Sequence, residues 1–318
     1  MGKYIFGVDI GGTTVKLGLF TAEGELLSDW EIKTRTENKG ENILPDVAEA
    51  IALKMKEENI SKDEVLGVGL TAPGPVLKDG TIKGAVNLGW GTFNLSKTLS
   101  DLTGLKVESG NDANVAALGE LWKGGGMGYS DIMMVTFGTG LGGGLILNGR
   151  IHTGANGAAA EIGHIPFCEP EDEPDTCGCG KRGCLEQYTC ANGAVHVAKR
   201  YLDEHPDEAC GLRNISNFTS KDIFDFVKAG DKTACKIAEK IYRNIGRGMA
   251  MISAVTDVEA FVFGGGMSKT GQMLIDGVRK YYVNYAFPAC RNTDFKLATL
   301  GNKAGIYGAA KLIIDSED

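Results

Sequence analysis

The sequence predicts an α/β protein of two lobes built on a duplicated unit, and three observations predict it. A chain of 318 residues with 43% hydrophobic content exceeds the size at which a single core usually divides. VDIGGTTVKLGLF (8–20) and VTFGTGLGGGLIL (135–147) share one plan: an apolar strand, a glycine turn and another apolar strand. Strand and helix patterns also alternate, with strands through LLSDWEIKT, the helical ILPDVAEAIALKMKEE, then the strands VLGVGL and LKV. One lobe is placed at residues 1–114, closed by a C-terminal helix at 303–318, and the other at 115–302. The second begins at the repeated hairpin, carries a cysteine-rich insertion and turns helical from about 191.

Both glycine turns expose backbone amides that suit phosphate oxygens, so two of them would grip a nucleotide from two lobes. An ordinary hairpin is the alternative for each alone. Gly11, Gly12 and Thr13 are the candidates in the first copy, and Gly138, Thr139 and Gly140 in the second. Asp9 corresponds to Thr136 in the second copy, so only the first turn offers a carboxylate to a water-bearing Mg²⁺. Lys16 either helps neutralise charge there or is a solvated strand lysine. Gly138, Gly140 and Gly143 match G-x-G-x-x-G, but the chain continues as a strand and not as the helix that a dinucleotide site needs. No G-x-x-x-x-G-K-S/T occurs. A third cluster, FVFGGGMS (261–268), puts Gly265 and Gly266 after a strand, where bare backbone lets a flat base approach.

Thirty-three basic against 41 acidic residues give a net charge of −8, which excludes the electrostatic footprint of a nucleic-acid or anionic-membrane binder. No apolar run reaches 18 residues, and the N-terminal apolar stretch is too short and glycine-broken for a signal peptide, so a cytosolic protein is expected. The N-x-S/T matches at Asn94, Asn214 and Asn217 then have no glycosylation route.

Eight cysteines in a reducing compartment are thiols or ligands before they are disulfides. In CGCGKRGCLE (177–186), Cys177, Cys179 and Cys184 have the spacing of a chelate loop, and His164 of EIGH (161–164) is the nearest histidine. Three thiolates and one imidazole make a closed tetrahedral Zn²⁺ site of the structural kind. A glycine-rich turn with buried thiols is the alternative, and Cys168 competes for the fourth place. Cys190, Cys210, Cys235 and Cys290 are expected in core packing. The acidic run EPEDEPD (169–175) is expected to be a solvated loop.

Asp112 follows the apolar run LKV and opens the helical segment ANVAALGELW. Two roles fit that junction: a general base for a hydroxyl, or a helix N-cap.

VDIGGTT (8–14), APGP (72–75), NDAN (111–114), TFGTGLGGG (136–144), EIGH, CGCGKRGCLE and GGGMS (264–268) occur in the order of the ROK sugar kinases, which the chain resembles over nearly its whole length. NLGW (87–90) and NDANVAALGE (111–120) are most similar to the bacterial glucokinases of that family. The resemblance implies the two-lobed actin, hexokinase and Hsp70 fold, a duplicated ribonuclease H-like unit with a cleft between lobes that closes over substrates. It implies ATP with Mg²⁺ as donor, glucose as acceptor, a homodimer and a structural Zn²⁺. It makes Asp112 the base and puts Asn111, Glu161, His164 and Glu186 on the sugar, with Gly74 and Asn87 approaching it. The metal would then tie His164 to the loop carrying Glu186, a sugar-holding device. Fructose, N-acetylmannosamine or another hexose is the rival acceptor. The family's sugar-sensing repressors carry an extra N-terminal helix-turn-helix, for which a first strand starting by Tyr4 leaves no room.

Overall fold

The computed structural model describes residues 2–317, and its architecture grows from the N-terminal glycine hairpin. β1 (Tyr4–Ile10) and β2 (Thr14–Thr21) pair antiparallel around the turn, and β3 (Leu26–Lys33) pairs antiparallel with β2. Half-buried and exposed residues alternate along β3, as on an outer strand with one wet face, whereas most of β1 is buried. β4 (Val65–Ala72) runs parallel to β1 on its other side. The chain then makes the two-residue pair β5 (Thr81–Ile82) and β6 (Phe93–Asn94), crosses over through the helix Leu95–Thr103, and returns as β7 (Val107–Asn111), parallel to β4. The sheet order is β3-β2-β1-β4-β7.

β8 (Ile132–Phe137), β9 (Leu141–Leu147), β10 (Arg150–Ile151), β11 (Ala260–Gly265) and β12 (Asp294–Leu297) form a second sheet in the order β10-β9-β8-β11-β12. Each sheet is thus a three-strand meander whose first strand is flanked on its far side by two later strands. This is the duplication that the repeated hairpin predicts.

Parallel strands need cover on both faces, and the first sheet has it. The helix Ile43–Glu57 brings Ile43, Val47 and Ile51 against Phe6, Val8 and Ile10. The helix Ala304–Asp315 brings Ile306, Ala310 and Ile313 against Ile5 and Phe20. Full burial of each large side chain contributes about 1.5–3 kcal/mol.

By contacts the chain divides into two compact units, Met1–Ile132 with Gly144–Ala159 and Thr299–Asp318, and Met133–Gly143 with Ala160–Ala298. These boundaries differ from 114 and 303, and one helix explains most of the shift. Asp112–Lys123 packs on Ala304–Asp315, and its fully buried Glu120 accepts hydrogen bonds from the backbones of Gly125 (2.8 Å), Thr299 (3.0 Å) and Leu300 (2.9 Å). Among the described residues, no helix is long and apolar enough to cross a membrane.

Candidate active site

In the first unit, β7 ends where the helix Asp112–Lys123 begins, and the cap of that helix is Asn111, one residue before the carboxylate. The Asn111 side-chain oxygen accepts from the backbone N–H groups of Ala113 (3.1 Å) and Asn114 (3.2 Å). Its amide nitrogen donates to Gly74 O (3.1 Å) and to Asp112 Oδ1 (3.0 Å). The two acceptor and two donor places of the amide are thereby engaged. Asn111 takes the capping role, and Asp112 occupies the first helical position with its carboxylate held by its neighbour. The structure therefore brings Gly74, Asn111 and Asp112 together. Asn87 is exposed on the one-turn segment Val86–Leu88, which Leu88 anchors in the core, in the loop whose Gly84 backbone abuts Gly74.

The first glycine turn closes with Gly11 N–H on Thr14 O (3.0 Å). Thr34, which the sequence did not single out, pins it from outside: its hydroxyl donates to Gly11 O (2.8 Å) and its N–H to Thr13 O (3.0 Å). Asp9 lies beneath, accepting from the Thr71 hydroxyl (2.8 Å), with Lys16 Nζ 4.0 Å away on the paired strand. Lys16 is half-buried and faces Asp9, which decides against a fully solvated lysine. Burial pushes the Asp9 carboxyl above its ordinary 3.8, and the Thr71 hydrogen bond and the Lys16 charge oppose it. A desolvated carboxylate with this little compensation suits a hydrated Mg²⁺.

Gly305 makes the space for that carboxylate. A Cβ at this position would lie 2.5 Å from Asp9 Cγ. Gly305→Ala is expected to displace Asp9 and raise the Michaelis constant for magnesium-nucleotide by about tenfold, while the constant for the acceptor stays within about twofold. Steady-state kinetics with each substrate varied separately check this.

In the second unit, a short antiparallel pairing of 165–168 with 183–185 lays EIGH beside the cysteine loop, through Phe167 N–H on Gly183 O (2.7 Å) and Leu185 N–H on Ile165 O (2.9 Å). One ligand atom from each of His164, Cys177, Cys179 and Cys184 lies within 4.8 Å of the others. Cys177 Sγ is 3.6 Å from His164 Nδ1, and Cys179 Sγ is 3.7 Å from Cys184 Sγ. Zinc distances of about 2.3 Å to sulfur and 2.0–2.1 Å to nitrogen put neighbouring donors of a tetrahedron about 3.6–3.8 Å apart. The donor set and its spacing fit zinc. Cys168 does not compete, because its sulfur is turned to the Tyr188 hydroxyl at 2.9 Å.

Glu186 links this cluster to the second glycine turn. One carboxylate oxygen accepts from Cys177 Sγ (2.8 Å) and lies 3.8 Å from His164 Nδ1, and the other accepts from the Leu141 N–H (3.3 Å). Glu161 is exposed at the head of the single turn Ile162–His164, where its carbonyl accepts the His164 N–H (3.1 Å). The turn itself closes with Gly138 N–H on Gly140 O (3.0 Å). Gly265, with φ of 82°, lets β11 pass against Phe137 O, which a Cβ would approach to 2.5 Å, so the third glycine cluster and the second turn are neighbours.

Cys190 is buried, as expected, and has a second role. Its sulfur caps the helix Ala191–Glu204 by accepting from Gly193 N–H (3.3 Å), its thiol donates to Thr139 O (3.1 Å), and the Ala191 N–H donates to Gly138 O (3.0 Å). A helix start is thus fastened to the candidate phosphate turn. Only the helix pattern from 191 announces it in the sequence.

The run at 169–175 is exposed, as expected, except at one residue. Its Glu173 has no exposed side-chain surface and is held by Arg200, the Tyr188 hydroxyl and the Asp175 N–H (3.0 Å). Burial pushes the Glu173 carboxyl up, but Arg200, Tyr188 and Asp175 together hold it below its ordinary 4.5. Its ionised form therefore stabilises the fold above about pH 4.5, and that contribution is lost as the pH falls further. Glu173→Gln is expected to cost about 1–2 kcal/mol at pH 7, a gap that narrows below about pH 4 in melting curves of the two proteins.

The profile of the ROK family matches residues 5–316. The glucokinase of Halalkalibacterium halodurans is 38% identical over 99% of this chain and 96% of its own length. A ROK family glucokinase from Streptomyces griseus, solved with glucose and AMPPNP, is 33% identical with a TM-score of 0.74, covering 97% of this chain and 98% of that one. The N-acetylgalactosamine kinase AgaK of Shewanella sp. is 28% identical over 96% of each chain.

Proposed function

Because the chain belongs to the ROK family, we propose that it is an ATP-dependent hexose kinase that transfers the terminal phosphoryl group of ATP to the 6-hydroxyl of glucose. The observation that carries this reading is the Asp112 carboxylate at the mouth of a helix whose side-chain cap is Asn111, with its Oδ1 held by the Asn111 amide (3.0 Å) and the Ala113 N–H (2.8 Å). In that role the hydroxyl oxygen forms the new bond to phosphorus, its proton passes to Asp112, and the bond from phosphorus to the bridging oxygen of ADP breaks. Asn111, for which the resemblance implies a sugar contact, positions the base instead, since its amide is already engaged by Gly74, Asp112, Ala113 and Asn114. Gly74 and Asn87 supply the loop beside it.

Glu161, His164 and Glu186 receive the remaining sugar hydroxyls, since charged acceptors hold hydroxyls strongly. Zn²⁺ on His164, Cys177, Cys179 and Cys184 would fix the segments that carry them, and a ligating Cys177 thiolate has no proton to donate, which leaves one Glu186 oxygen to the sugar. For the nucleotide, Gly11, Gly12 and Thr13 and also Gly138, Thr139 and Gly140 present backbone amides and hydroxyls to phosphate oxygens. Asp9 receives hydrated Mg²⁺, and Gly265 and Gly266 border the base. The reduced thiol cluster suits the cytoplasm. The homodimer rests on the family likeness.

A panel of hexoses with ATP, magnesium and a coupled ADP readout tests the reading. Glucose is expected to have the highest kcat/KM. Turnover of an N-acetyl hexosamine or of fructose with none on glucose would reassign the acceptor, and no turnover on any hexose would favour a sugar-sensing regulator.

A further inference from the structure

The second unit holds a cavity of about 370 Å³ that the proposed kinase chemistry does not use. One wall is the helix Lys232–Thr256, where Lys240, Arg243, Asn244 and Arg247 fall on one face at the spacing of successive turns, opposite the buried Ile241, Tyr242 and Ile245. The facing wall comes from the helix Ala191–Glu204, and the floor from Phe167 and Tyr188. Four cations thus line a space with one carboxylate, in a protein whose net charge is −8.

The cations are not equally occupied. Arg200 is committed to Glu173 and Asp175, and Lys240 lies 3.5 Å from Glu204. Glu239, one turn before Arg243, is held by hydrogen bonds from Lys280 and Tyr281, and the Arg243 charge acts on it only from beyond ion-pair distance. Among the described residues, neither Arg243 nor Arg247 has a carboxylate within 4.0 Å. Their guanidinium groups lie over rings instead, Arg247 at 4.6 Å from the Phe167 centroid and Arg243 at 5.2 Å from that of Tyr281. A stacked guanidinium keeps its edge donors for an oxyanion, and two such groups one turn apart match the tetrahedral oxygens of a phosphate.

We propose that this cavity binds a small phosphorylated metabolite, with its phosphate on Arg243, Arg247 and Lys240 and its organic body against Tyr188 and Val197. A free inorganic anion would satisfy the arginines but leave the apolar part of the same lining, around Tyr188 and Val197, uncovered, which favours a phosphate ester. Phe167 lies three residues after His164 and Tyr188 two after Glu186, so the occupant would rest on the segments that carry both side chains.

The test is calorimetric titration of the zinc-loaded protein at low ionic strength with glycerol 3-phosphate, which is neither substrate nor product of the proposed hexose reaction, with inorganic phosphate and, as the uncharged control, with glycerol. Arg243 and Arg247 are exposed, so Arg243→Gln/Arg247→Gln is expected to melt like the wild type and keep its hexose phosphorylation rate. The ester is expected to bind more tightly than inorganic phosphate, and the double substitution to weaken the ester by about tenfold or more. Ester binding that survives the double substitution belongs elsewhere and overturns the proposal. So does the absence of ester binding to the wild type at about 10 mM, or equal affinity for the ester and inorganic phosphate.

Discussion

Asp112→Asn is expected to fold and bind hexose like the wild type and to lose about 10²–10⁴-fold in kcat. The substitution keeps the shape of the side chain and removes its ability to take a proton. Asn111 caps the helix through Ala113 and Asn114, and the amide oxygen of the substituted side chain can still accept the Ala113 N–H that Asp112 Oδ1 takes at 2.8 Å, so the helix start does not depend on the Asp112 charge. A residue that served only as a helix-terminal carboxylate would show the opposite pattern, a fall in melting temperature of a few degrees for about 0.5–1 kcal/mol and an unchanged turnover. Turnover and melting temperature measured on one preparation separate the two. Unchanged kcat would remove Asp112 from the chemistry.

Cys179→Ala is expected to release the zinc and raise the Michaelis constant for hexose by about 10–100-fold, with a much smaller effect on that for ATP. Cys179 is the exposed member of the cluster, so truncating it opens no cavity in the core. What it removes is a ligand, leaving three donors where a closed site needs four. The consequence reaches the sugar through Glu186, whose carboxylate touches Cys177 on one side and the Leu141 N–H on the other. Zinc content by elemental analysis and hexose kinetics must change together. A zinc-free variant with the wild-type constant would separate the metal from the sugar.

Features set by short-range chemistry were legible in the sequence. The glycine hairpins, the strand-to-helix junction at Asp112 and the Cys177, Cys179 and Cys184 loop each declare themselves within a few residues, His164 follows as the nearest histidine, and the repeated hairpin announced the duplicated sheet order. Features set by a distant partner were not. The acidic run around Glu173 reads as solvent-exposed until Arg200 and Tyr188 are seen to enclose one of its carboxylates. Cys190 reads correctly as a buried thiol, but its bond to the Thr139 carbonyl is not legible. The division between the units moved because Glu120 reaches the backbone at 299–300, a contact across 180 residues that periodicity does not encode. Asn111 could have been foreseen as the cap, since Asn is among the strongest capping residues.

X-ray absorption at the zinc edge of the protein as purified examines the clamp on which the sugar-binding assignments depend. The structure predicts one zinc per chain with three sulfurs at about 2.3 Å and one nitrogen at about 2.0–2.1 Å. A protein that is fully active with no zinc, or a zinc shell made only of oxygen and nitrogen, would contradict it.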